Sequence, residues 1–160
     1  MTDPESQPPV RPATASDAVS DPASEPVPPA PYVRHHRRSG LTDPWEPLYS
    51  HRTEDSVWIG LRAGAAHANS RGFVHGGLLT ALADNAMGMS CAQARGDSRP
   101  SLVTVNLAVD FVSTARSGQW VEVRPTVVKT GASLCFATAL VLADGKVCAR
   151  ANATFATPSR

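Results

Sequence analysis

His75-Gly76-Gly77 opens an apolar stretch, and a single carboxylate, Asp84, lies on the same stretch further along. A loop carrying Asn69 and Gly72 leads into it. Helix N-termini leave backbone N–H groups unpaired and carry partial positive charge, so they hold developing oxyanions. A donor cradle beside an acid on one short segment is the equipment of acyl transfer. The acid activates water or attacks a carbonyl carbon, and the N–H groups take up the charge on the carbonyl oxygen.

The spacing constrains how these groups can work. Gly76 and Asp84 are eight residues apart, about 12 Å along a helix at 1.5 Å per residue. One carbonyl carbon cannot lie within hydrogen-bonding distance of both. If both act on one substrate, they come from two chains whose helices pack antiparallel about a two-fold axis. The face holding Asp84 carries Gly77, Thr80, Ala81, Gly88 and Cys91, all small. A glycine-bearing stripe weakens a helix, which implies close approach by another backbone or a ligand. Asp on a helix is usually solvated; the apolar neighbours at 82, 83, 86 and 87 argue for a protected carboxylate.

The elements that must position these residues follow from periodicity. Leu78, Leu79, Leu82, Ala86 and Met89 recur at three and four, predicting a helix from about Gly76 to Ala94 that ends at Arg95-Gly96-Asp97. Ahead of it, residues 41–49 read as a short helix or turn that pins the preceding segment. Ser56–Arg62 has strand composition, with Gly60 as a bulge candidate, and residues 64–74 read as loop. After the helix, Val103, Val105, Leu107, Val109 and Phe111 alternate with Thr104, Asn106, Ala108 and Asp110, a two-residue period. By that alternation Thr104 lies opposite the Val103/Val105 face. Residues 119–130, 132–143 and 146–157 follow as strands, the last two joined by the hairpin signal Asp144-Gly145. The fold class is α+β, with a long central helix wrapped by a five- to six-stranded antiparallel sheet.

The chain has 160 residues, enough for one modest domain. Nine of its 14 prolines fall in residues 1–31, where Asp3, Glu5, Asp17, Asp21 and Glu25 face Arg11 alone. Residues 1–40 are therefore expected to be a disordered, acidic, Pro-rich tail with a short basic linker, Arg34–Arg38, ahead of a domain at 41–158. There is no apolar signal region and no run of membrane-spanning length, so no stable membrane insertion is expected. Cys91, Cys135 and Cys148 lack Cys-x-x-Cys or Cys/His ligand spacing. They read as reduced core thiols of a cytoplasmic protein, with no metal site. A formal charge of +1 gives no pull toward nucleic acid.

The order Asn69-x-x-Gly72-x-x-His75-Gly-Gly, then Asp84, a strand, a turn and Gly131-x-x-x-x-Phe136 resembles the hotdog-fold acyl-CoA thioesterases of the PaaI type over about residues 50–157. The resemblance implies hydrolysis of a CoA thioester to free acid and CoA, without a cofactor, in a homodimer or dimer of dimers. It implies Asp84 as general base or nucleophile and Gly76 as the oxyanion N–H. Asn69 and His75 match residues lining the carbonyl pocket, and Thr104 matches a hydroxyl that helps hold the attacking water. On the substrate side it implies Gly77 and the turn Lys129, Gly131 and Ala132. Ala132 stands where relatives often carry a basic residue. Arg71, Arg95, Arg99 and Arg150 are further phosphate candidates. Two other readings stay open: a hotdog hydratase or dehydratase pairing His75 with Asp84, and a non-catalytic acyl-CoA-binding module.

Overall fold

In the computed structural model, residues 27–96 and 102–157 are described; the stretch 1–26 and the candidate Arg99 lie outside them. At the centre is α1, Gly76–Arg95, close to the predicted span. It ends on Gly96 with φ at 70°, the left-handed conformation that glycine adopts freely. One side of α1 buries Leu78, Leu79, Leu82, Ala83, Ala86 and Met87. No helix among the described residues is long and apolar enough to cross a membrane.

A single antiparallel sheet packs on that side. Its strands are β1 Val33–Arg34, β2 Tyr49–Arg52, β3 Val57–Arg62, β4 Val103–Phe111, β5 Trp120–Thr130, β6 Leu134–Ala143 and β7 Lys146–Ala156. They lie in the order β1-β2-β3-β5-β6-β7-β4, so β4 is an edge. Val121, Val123, Val141 and Phe155 face the helix beside Ala137, Ala139, Ala149 and Ala153. Those alanines let the sheet curve closely around α1 at the packing density of an interior. Asp144 and Gly145 both have positive φ, as a two-residue hairpin with the strands' own twist requires.

Among the described residues seven strands form where five to six were expected, and the extra pairing comes from residues assigned to the tail and its pinning turn. Val33–Arg34 pairs with β2. The Tyr32 ring is buried, edge-on to Trp120 at 5.0 Å between centroids. Its hydroxyl donates to the buried Glu122 carboxylate at 2.6 Å, which also accepts from the Trp120 indole. Burial, with Glu122 beside it, pushes the Tyr32 phenol pKa upward. The expected boundary at residue 41 thus falls inside packed structure. The basic run is mostly exposed but is tied down at two points: Arg34 pairs with Glu46 at 3.0 Å and Arg38 with Asp43 at 2.8 Å. Gly60 is no bulge either. It stays in register, and a Cβ there would meet the Trp120 ring at 2.5 Å.

The alternation of β4 breaks at one point. Against β7, Thr104 faces Phe155 while Asn106 faces Thr154, so Val105 is an extra residue. This bulge flips the parity. Thr104 joins Leu107 and Val109 on the helix side, and Val103 and Val105 are left 50% and 61% exposed.

The loop ahead of α1 is held by a buried histidine. Gly64 N–H donates to His67 Nδ1 at 2.8 Å, so Nδ1 accepts and the neutral ring carries its proton on Nε2, 3.2 Å from Trp45 O. The His67 carbonyl in turn accepts from His75 N–H at 2.9 Å, which fixes the residue that starts the helix. Burial lowers the His67 pKa, with the Trp45 carbonyl opposing. A depressed histidine pKa means the unfolded chain takes the proton first. Stability from this site is therefore full above the ordinary value of about 6.5 and falls as pH drops below it. The Tm should decline between pH 7.5 and pH 5.5, and the decline should be smaller in His67→Gln. His35, whose pKa burial also lowers, supplies the remainder; equal declines in both proteins would refute this role for His67.

Candidate active site

At the start of α1, His75 adopts extended backbone as N-cap, and its Nδ1 accepts from Gly77 N–H at 2.9 Å. The His75 carbonyl accepts from Leu78 and Leu79 N–H. Gly76 N–H has no partner within the helix, as for any first helical residue. It is therefore the donor left for an external acceptor, whereas the Gly77 N–H is already engaged. The Phe111 ring tip stands against Gly76: a Cβ added there would lie 3.0 Å from Phe111 Cζ.

Asp84 is half-buried two turns further on. Thr104 Oγ1 donates to Asp84 Oδ1 at 2.7 Å, a contact that exists because the Val105 bulge turned Thr104 inward. Among the described residues no cation pairs with Asp84 and no donor reaches its second oxygen. A carboxylate held by one hydroxyl, with one oxygen left over, is arranged to take a proton or a water.

The small-residue stripe divides in two. A Cβ on Gly88 would meet Phe155 at 3.2 Å, and Cys91 is fully buried beside Cys135. Burial and the Cys135 thiol push the Cys91 pKa upward, as befits an inert core thiol. Cys148 is buried and free as well. The chain's own sheet thus accounts for the far half of the stripe. The near half, with Gly77, Thr80, Ala81 and Asp84, is only partly covered or exposed.

Asn69 shapes the loop. Its Oδ1 accepts from Arg71 N–H at 2.9 Å and Phe73 N–H at 3.3 Å, closing a turn in which Gly72 has φ at 77°. Its amide nitrogen has no partner among the described residues. The turn of Lys129, Gly131 and Ala132 is at the other end of α1. There Arg95 donates to the Gly131 carbonyl at 2.9 Å, and Gly131 N–H to the Leu134 carbonyl at 2.7 Å. Arg95 thus ties helix to turn, and Arg150 pairs with Asp110 at 2.8 Å; Lys129 is exposed.

Within one chain, Asp84 and Thr104 meet, and His75, Gly76 and Gly77 form the helix start, while the helix pitch keeps the two groups apart. Among the described residues no three side chains of His, Cys, Asp or Glu gather into a metal-binding group. Sequence reasoning missed His67 and the placement of Phe111. Only the apolar end of the β4 pattern hinted at the latter.

Residues 71–149 match the model of the thioesterase superfamily. A Pseudomonas aeruginosa protein named "Putative esterase" is 36% identical over 123 residues, covering 76% of this chain and 91% of that protein. An asparagine-to-aspartate mutant of the phenylacetic acid degradation protein PaaI from Thermus thermophilus superposes with a TM-score of 0.62 at 25% identity, over 69% of this chain and 93% of that one. A Streptococcus pneumoniae hypothetical thioesterase solved with coenzyme A has the same fold, with a TM-score of 0.62 at 19% identity over 72% and 93%. The chain belongs to the thioesterase superfamily and is a hotdog-fold thioester hydrolase.

Proposed function

We propose that the protein hydrolyses acyl-CoA thioesters at a site shared by two chains. The observation that carries this reading is the Asp84–Thr104 contact, a half-buried carboxylate with one free oxygen and no pairing cation among the described residues. Asp84 takes a proton from water as the water oxygen attacks the thioester carbon. The carbonyl oxygen becomes an oxyanion facing Gly76 N–H and the positive end of α1. Collapse breaks the C–S bond, releasing the acid and a CoA thiolate that picks up a proton. CoA in the pneumococcal relative supports CoA as the carrier. His75 braces the helix start through Nδ1, which disfavours the hydratase reading, where that ring would need to shuttle protons.

The edge strand supports sharing. β4 has nine residues with one charge, Asp110, and no proline, whereas isolated edges are usually blunted by charge, proline or cover. Two copies paired antiparallel about a two-fold axis through Ala108, with Val105 again the extra residue of each strand, set Thr104 opposite the partner's Phe111. That register carries Asp84 toward the partner's Gly76 and closes the gap of about 12 Å along the helix.

Asp84→Ala should lower kcat for CoA release by about 10³-fold or more while the oligomer stays folded. Thr104→Val, which removes a hydrogen bond to a charged group, should cost about 10-fold. A panel of acyl-CoAs that includes phenylacetyl-CoA, read by thiol release, measures both; near-normal turnover by Asp84→Ala would sink the assignment.

A further inference from the structure

We propose that Phe111 is a specificity-determining residue, limiting branching and bulk in the acyl group next to the thioester carbon. This rests on the reading of Gly76 as the oxyanion donor. Phe111 ends β4 opposite Ala149 of β7, which is fully buried. The phenyl ring does not join that core: it is 54% exposed. Instead its tip lies over Gly76, with Cζ 3.0 Å, Cε1 3.3 Å and Cε2 3.6 Å from where a Cβ would be. Any side chain at residue 76 would push the ring away, so glycine there serves the ring as well as the N–H.

A carbonyl oxygen bound at Gly76 N–H, about 2.9 Å from the nitrogen, has its carbon and both substituents within a few ångströms of that ring. The ring is apolar, offers no hydrogen bond to the oxyanion, and is flanked by Val112, itself 59% exposed. Its role is therefore steric and apolar. A flat or unbranched acyl group can slide along the ring, while a branch at the carbon beside the carbonyl runs into it. In the shared site the partner's Asp84 and Thr104 close the opposite side, so the ring has little room to retreat.

The test compares butyryl-CoA with isobutyryl-CoA, isomers in which one methyl moves from the chain end to the carbon beside the carbonyl. In Phe111→Ala the kcat/KM ratio of isobutyryl- to butyryl-CoA should rise about 10-fold over wild type, the scale on which apolar pockets discriminate a methyl group. Phe111→Leu, which keeps an apolar core of intermediate size, should fall between and guards against misfolding of the alanine variant. The Kd ratio for the matching non-hydrolysable CoA thioethers should shift the same way. Ratios within about two-fold of wild type in both variants would overturn the role of Phe111, whatever happens to absolute rates. Absence of thiol release by wild type would count against the thioesterase reading instead, and the thioether ratios would then decide Phe111 alone. A wild type that binds neither thioether overturns both.

Discussion

An α-helix rises so little per residue that Gly76 and Asp84, on one helix, remain about 12 Å apart. That distance cannot be shortened by packing, loop motion or side-chain choice. Every other part of the site is arranged around it. The donor end of α1 is fixed by His75 and by the His67 carbonyl behind it. The acid end is fixed by Thr104. The two ends meet only if a second helix runs the other way, and the near half of the small-residue stripe is the part its own sheet leaves partly open.

Edge strand β4 links the two ends. Thr104 near its start touches Asp84, and Phe111 at its end covers Gly76. Leaving the backbone of such a strand unpaired is costly in aggregation risk, and in the proposed dimer the pairing that covers this edge is the one that completes the chemistry. In that proposed arrangement, stability of the assembly and activity are coupled by geometry. The far side of the sheet is closed differently, by Tyr32 and its bond to Glu122. That clasp lies on the face away from α1 and leaves β4 free for a partner.

Much of this was legible in the chain. The helix boundaries, five of the strands and the Asp144-Gly145 hairpin follow from apolar periodicity, strand composition and turn chemistry, which are local properties. What was not legible arises from contacts between distant residues. A two-residue strand and one buried tyrosine are too small to show against nine prolines. Gly60 looks like a bulge until the Trp120 ring, sixty residues away in sequence, takes the space of its Cβ. The true bulge at Val105 is hidden within an unbroken alternation of apolar and polar residues, and it reverses which face Thr104 occupies. Gly88 belonged to a stripe that suggested a second backbone, yet Phe155 of the same chain fills it. The candidate acid, the helix start and Thr104 could all be named as candidates from the sequence, because their chemistry and spacing are written along one segment and its following strand.

Sharing of the site between chains is tested most directly by mixing two defective subunits. Proline fits the first helical position but has no N–H, so Gly76→Pro deletes the donor, and Gly76→Ala controls for crowding of Phe111. A mixed dimer of Asp84→Ala and Gly76→Pro chains has one site with both defects and one with neither. Purified mixed dimers should recover about half of wild-type turnover per dimer, although each parent homodimer is nearly inactive. Turnover no higher than the average of the two parents would contradict a shared site.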